Sequence, residues 1–216
     1  YSINSNKFAM QVNLFYMNYA DQLVLTGEIN NVGAPIFTNI DKSYRAGIEL
    51  TLGWKISTIF EWEGNASFSR NKALGFTEYV DNWSDPYGQI QKSLGTTDLA
   101  FSPGVIAGST FKLKPAKNLA LTFNSKYVGK QYIDNTSSNA RCLDAWFVND
   151  LMVNYSLTTD FIKKIDVNLS VNNIFSEMYE SNAWIYRYYY DGVEYSEDGY
   201  FPQAPAHFLI GLTVGL

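Results

Sequence analysis

The sequence predicts an all-β fold, a segment of an antiparallel transmembrane β-barrel with about eight strands, and three observations predict it. Apolar and polar residues alternate with period two over stretch after stretch, which gives each stretch one greasy and one polar face. The last stretch, residues 206–216, sets Phe208, Ile210, Leu212, Val214 and Leu216 against His207, Leu209, Gly211, Thr213 and Gly215. About ten such residues cross a bilayer as a tilted strand. Finally, the connections alternate between short and long, as where periplasmic turns are short and outer loops long. A soluble β-sandwich scatters its loop lengths over both ends.

The elements follow in order. Residues 8–19 place Phe8, Met10, Val12, Leu14 and Tyr16 opposite Ala9, Gln11 and Asn13. A long connection, residues 21–43, carries Leu23-Val24-Leu25 and Ile36-Phe37, which extend a hairpin beyond the membrane. Residues 44–56 alternate cleanly, with Arg45, Glu49 and Lys55 all on one face. A Lys or Arg on the lipid side at mid-membrane costs about 2–4 kcal/mol, so charges kept to one face mark the other as lipid-facing. After a tight turn at residues 57–59, residues 60–70 oppose Phe60, Trp62, Ala66 and Phe68 to Glu61, Glu63, Asn65, Ser67 and Ser69.

Residues 75–102 are dominated by turn formers and read as a loop. Residues 103–114 and 118–131 form the next pair around Pro115-Ala116-Lys117. An Asn- and Ser-rich loop, residues 133–145, precedes residues 146–157, where Asn149 is the one polar exception on the apolar face. A turn at residues 158–164 leads to residues 165–171, and the longest loop, 172–205, leads to the terminal strand. A chain ending on a strand reached from a long loop has its C-terminus at the short-turn, periplasmic end. Trp54, Phe60 and Trp62 are expected in an interfacial girdle near that end.

Composition agrees with this reading. The 216 residues are 46% hydrophobic and 16% aromatic, with a net charge of −5. No run of about 18 apolar residues exists, which excludes a transmembrane helix but not a barrel wall, whose strands are only half apolar. The acidic balance and the absence of a Lys/Arg cluster argue against nucleic acid as a partner. Cys142 is alone, so no disulfide forms within the chain. The start, Tyr1-Ser2-Ile3, has no signal-peptide pattern, so a piece or a processed form of a longer protein is expected.

Chemistry is sparse. His207 has no second His or Cys at ligand spacing and reads as a polar lumen residue, so neither a metal nor a cofactor is expected. No nucleophile elbow, phosphate loop or Cys–His pairing is present, which argues against an enzyme. Asp191, Glu194, Glu197 and Asp198 lack the spacing of an EF-hand. The stretch W-I-Y-R-Y-Y-Y-D-G-V-E-Y, residues 184–195, offers stacking and cation–π surfaces, with Trp184, Tyr186 and Arg187 the leading ligand-binding candidates. The alternative for that stretch is that several of its residues belong to extended hairpin strands and the outer girdle; Trp83 and Tyr87 in the second long loop are weaker candidates.

The terminal strand resembles the C-terminal sorting strand of outer-membrane barrel proteins. The runs N-L-F-Y-M-N-Y-A-D-Q-L (residues 13–23), N-N-V-G (30–33) and N-I-D-K-S-Y-R-A-G-I-E-L (39–50) resemble barrel strands of TonB-dependent outer-membrane receptors. S-V-N-N-I-F-S-E-M-Y (170–179) resembles their penultimate-strand signature, and Y-F-P-Q-A-P (200–205) the approach to the last strand, in the style of Bacteroidetes-like receptors. Leu216 stands where that family usually has an aromatic residue. Nothing resembles the plug domain, so residues 1–216 are expected to be the C-terminal portion of the barrel only.

The resemblance implies the last eight of 22 strands and a wide lumen meeting a plug. The polar face agrees, since Glu49, Glu61, Glu63, Lys112, Lys114, Lys126, Lys130, Asp150 and Asp166 would need a hydrated interior rather than a filled small barrel. It also implies the partners: the bilayer, the upstream strands and plug, the TonB machinery acting through the plug, and a small nutrient such as an iron chelate, a cobalamin-like molecule, a glycan or a peptide. An independent eight-stranded barrel with a structural or adhesive role is the alternative.

Overall fold

The computed structural model describes residues 1–30, 32–158 and 161–215, so Leu216 lies outside the described residues. The elements in chain order are β1 (Ser2–Asn4), β2 (Phe8–Ile29), β3 (Pro35–Lys55), β4 (Phe60–Asn82), β5 (Gly88–Asp98), β6 (Val105–Ala116) and β7 (Leu119–Val128). They continue with β8 (Gln131–Tyr132), β9 (Cys142–Leu143), β10 (Trp146–Leu157), β11 (Lys164–Asn172), β12 (Glu180–Tyr190), β13 (Val193–Pro202) and β14 (His207–Gly215). The wall of the sheet follows the order β1-β2-β3-β4-β6-β7-β10-β11-β14. Its eight long members are the eight strands expected from the alternation.

Register carries the facing assignment across the whole wall. Val12 pairs with Leu50, Leu50 with Ala66 and Ala66 with Ala107. Farther along, Phe111 pairs with Phe123, Phe123 with Leu151, Leu151 with Val171 and Val171 with Phe208. One continuous apolar face results, and it has no protein against it: Leu14, Phe68 and Leu212 are 72%, 54% and 66% exposed. Side chains this apolar, left bare over a whole sheet, are the lipid-facing surface of a membrane barrel. On the opposite face Lys112 meets Glu63 at 2.7 Å, Asn13 donates to Glu49 at 3.0 Å, and the Lys126 ammonium stands 5.4 Å from the Trp146 ring. Phe60 and Phe111 stack at 5.9 Å near the short turn that Ser57 closes by donating its N–H to the Phe60 carbonyl. The polar Asn149 on the apolar face is buried and accepts a hydrogen bond from the Ser125 hydroxyl at 2.7 Å, which removes the cost of its position.

The sheet is open. Its order begins at β1, which covers the edge of β2, and ends at β14, which pairs with β11. Bare strand edges cannot stand in lipid, so further strands are required to close the wall. Cysteines placed at Val12 and Leu212 in a Cys142-free background are therefore expected not to cross-link in the native membrane. Efficient disulfide formation, which needs Cα atoms within about 7 Å, would establish a closed eight-stranded barrel instead.

Above the wall the two longest expected loops are ordered ribbons. β4 runs on to Asn82 and pairs with β5, while β12 and β13 form a hairpin turned by Asp191 (φ 48°) and Gly192 (φ 74°). Two successive left-handed residues match the right-handed twist of the flanking strands. β2 and β3 likewise continue past the membrane, with a left-handed break at Asp21 (φ 51°); in β4 a break occurs at Gly75 (φ 65°). Both breaks adjoin the row Ala20–Lys42–Leu74. Beyond it Val24 and Ile40, which continue the lipid face of β2 and β3, are buried with Ala73 and Leu99.

Candidate functional site

The outer ends of the ribbons meet over one end of the wall. The tip of β12 lies parallel to the end of β4, with Tyr188 beside Asp81 and Tyr189 beside Asn82, and the Trp83 N–H donates to the Tyr189 carbonyl at 2.8 Å. Alternation along β12 then sorts its side chains. Ala183, Ile185 and Arg187 are buried, while Trp184, Tyr186, Tyr188 and Tyr190 take the other face.

On that second face Trp83 stacks on Tyr188 at 4.3 Å and Tyr188 on Tyr195 at 5.5 Å. Tyr186 flanks both Trp83 and Tyr188, at 6.0 and 5.9 Å, and its hydroxyl donates to Asp81 at 3.4 Å. The structure thus brings the expected Trp83 and Tyr186 together. Trp184 covers Gly199, where a Cβ would come within 2.4 Å of the indole nitrogen, so only glycine fits beneath it. Tyr87 is 80% exposed at the β4–β5 turn.

Arg187 is not with them. It is 5% exposed and points into a charged cluster, pairing with Glu78 and reaching Glu194 with Nη2 at 2.8 Å and Nε at 2.9 Å. Arg141 pairs with Asp134 at 2.6 Å in the same cluster. Lys92 and the Tyr189 hydroxyl both donate to Glu194, at 3.1 and 2.6 Å. Burial alone would raise the Glu194 carboxyl, but hydrogen bonds from Tyr189 and Lys92 and the Arg187 charge hold it down at about 2. Glu28 behaves oppositely: burial, with Asp81, Glu78 and Asp134 adding to it against Arg187, pushes its carboxyl up to about 7. Glu28, Glu78, Asp134 and Arg187, with Phe37 and Phe76, line a cavity of about 410 Å³ between the ribbons.

This outer face can stack planar rings and sugar faces, and the cluster behind it ties four segments of chain together. Among the described residues no group of three or more His, Cys, Asp or Glu is placed to hold a metal ion. His207 donates from Nδ1 to the Pro205 carbonyl at 2.9 Å and meets the Asn172 amide at 3.3 Å through Nε2. Sequence reading missed Tyr188 and Tyr195, the centre and end of the stack, although the period of two within residues 184–195 selects Tyr188 with Tyr186. It also missed Glu28, Glu78, Lys92 and Asp134, which come from four separate segments.

Residues 2–174 match the family described as TonB dependent receptor-like, beta-barrel. This chain belongs to that family, whose members are transport receptors of the Gram-negative outer membrane, not enzymes. Among solved structures it is similar to the siderophore receptor PiuA from Acinetobacter baumannii, with TM-score 0.68, 14% identity, and coverage of 96% of this chain and 26% of that one. BauA, the ferric preacinetobactin receptor from Acinetobacter baumannii, gives 0.63 at 13% identity, with coverage of 99% and 28%. The ferric-catecholate import receptor Fiu from E. coli K12 gives 0.61 at 15%, with coverage of 94% and 24%. Such identities establish a shared fold, and the chain spans about a quarter of the length of these structures. No curated protein matches it.

Proposed function

We propose that this chain is the C-terminal portion of a receptor barrel, the last eight of 22 strands, in a protein that takes up a scarce nutrient when TonB acts on a plug domain encoded upstream. The outer ribbons make the first contact with the ligand, and the C-terminus faces the periplasm. The observation that carries this reading is the solvent-facing aromatic stack of Trp83, Tyr188 and Tyr195 with Tyr186 beside it. Trp184 and Tyr87 extend the contact surface, and Arg187 supports it from behind through Glu78 and Glu194.

An iron chelate with aromatic rings suits this surface, and a ferric catecholate is the first probe, since the similar structure of Fiu is named for such cargo. Each of Trp83→Ala and Tyr186→Ala is expected to weaken ferric-catecholate binding by about five- to tenfold, the equivalent of about 1–1.5 kcal/mol per lost aromatic pairing. The amount of folded receptor in the outer membrane should not change. Unaltered affinity in both variants, with wild-type receptor binding the probe, would assign these rings to the outer girdle.

A further inference from the structure

The cavity between the ribbons has charges that do not balance. Its charged lining is Glu28, Glu78, Asp134 and Arg187, three carboxylates to one guanidinium. The cations nearby are already engaged. Arg187 is held by Glu78 and Glu194, Arg141 lies 2.6 Å from Asp134, and Lys92 meets Glu194 at 3.1 Å. Glu28 is left over: the residue is half-buried, yet its carboxylate makes no ion pair and no hydrogen bond among the described residues. Asp81 is the strongest charge acting on it, with Glu78 and Asp134 adding to the effect and Arg187 opposing it. A carboxylate without a partner in a negative field favours a cation from outside the chain.

The lining is not only acidic. Phe37 and Phe76 bring ring surface into the same cavity, beside Ile36 and Ile185. Such a surface suits methylenes that lead to an ammonium, and the rings attract the cation itself. A bare metal ion would gain little from it, and among the described residues no three acidic groups are placed to hold one. The cavity also adjoins the aromatic stack. Gln89, part of its lining, donates to one oxygen of Asp81 at 3.0 Å, and the Tyr186 hydroxyl donates to the other at 3.4 Å. Asp81 thus ties the edge of the stack to the edge of the cavity.

On the reading that the rings of the ligand seat on the Trp83 stack, we propose that the cavity is the subsite for a protonated amine arm of the same ligand, its ammonium held by Glu28 and its methylenes lying along Phe37 and Phe76. The cargo is then an aromatic chelate with a positive arm. An ammonium binds the ionised form of Glu28, whose carboxyl titrates near 7. The contribution of the arm therefore grows as pH rises from about 6 to about 8, a range in which an alkylamine stays protonated.

The test uses the complete receptor and two ferric catecholate chelates that differ only at the end of one alkyl arm, a primary ammonium in one and its N-acetyl derivative in the other. At pH 8 the wild type should bind the ammonium chelate about tenfold more tightly, the effect of one charge-assisted hydrogen bond in a partly buried site. Glu28→Gln should bring that ratio close to one, and lowering the pH to 6 should narrow it in the wild type. Equal affinity for the two chelates in the wild type, or an undiminished preference in Glu28→Gln, would overturn the subsite while leaving the stack in place. Binding of neither chelate would overturn the stacking reading and the subsite with it.

Discussion

Replacing Arg187 by Met is expected to open the outer ribbons while leaving the membrane wall folded. The guanidinium is almost fully buried and is the shared partner of Glu78 and Glu194, with Asp134 at 3.9 Å. Its removal leaves Glu78 with only Arg141, at 3.8 Å, beside Glu28 and Asp134 in the same cavity, and takes from Glu194 the buried half of its partners. Breaking a buried ion pair from one side costs about 3–5 kcal/mol, more than a local ribbon can lose and stay docked. Amide exchange over residues 184–198 should accelerate accordingly, with residues 146–157 unaffected. Arg187→Lys should recover only part, because an ammonium cannot span Glu78 and both contacts to Glu194 in one plane.

The pH dependence has a definite sign. Glu28 titrates near 7 when folded, above its ordinary value of 4.5, so the folded state binds the extra proton. Its contribution is fully present below about 4.5 and is lost as pH rises through about 7. The Arg187→Met ribbons should therefore be best protected in mild acid. Equal protection of wild type and variant at pH 8 would remove Arg187 from the role given to it.

The second large effect concerns the wall. Leu50→Lys should weaken folding of the complete receptor into bilayers by about 2–4 kcal/mol, whereas Thr51→Lys should be close to neutral. The two residues are neighbours on β3. Yet Leu50 pairs with Val12 and Ala66 in the apolar rows, and Thr51 with Gln11 and Asn65 on the polar side. Leu212→Lys, on the bare face of β14, should behave like Leu50→Lys. A urea titration of refolding into liposomes reads all three. If the Leu50 and Thr51 variants titrate together, the facing assignment is reversed or absent.

The wall was legible because lipid imposes a rule on every residue that touches it. Period-two alternation located all eight wall strands and their two faces, and the structure pairs those faces as expected. Above the membrane that rule lapses. Residues 75–102 read as loop because Gly75, Pro86, Gly88 and Gly95 interrupt the pattern, yet backbone pairing with β4 tolerates each of them at a break or turn. The parallel pairing of β12 with β4 joins segments about a hundred residues apart in the chain, and no local signal encodes it. Proximity in sequence groups Arg187 with Trp184 and Tyr186. The alternation that served the wall assigns it to the opposite face, as the structure does.

The breaks at Asp21 and Gly75, beside one row of the sheet, bear on how this protein fits a bilayer of given thickness. β2, β3 and β4 are 22, 21 and 23 residues long, far more than a crossing needs, so strand length sets no upper boundary for the lipid zone. The boundary is set where the backbone re-aims its side chains, and Val24 and Ile40 turn from lipid to one another. Hydrophobic thickness is thus written into two left-handed residues. Shifting either of them by a pair of positions would raise or lower the waterline on the barrel without altering the composition of the chain.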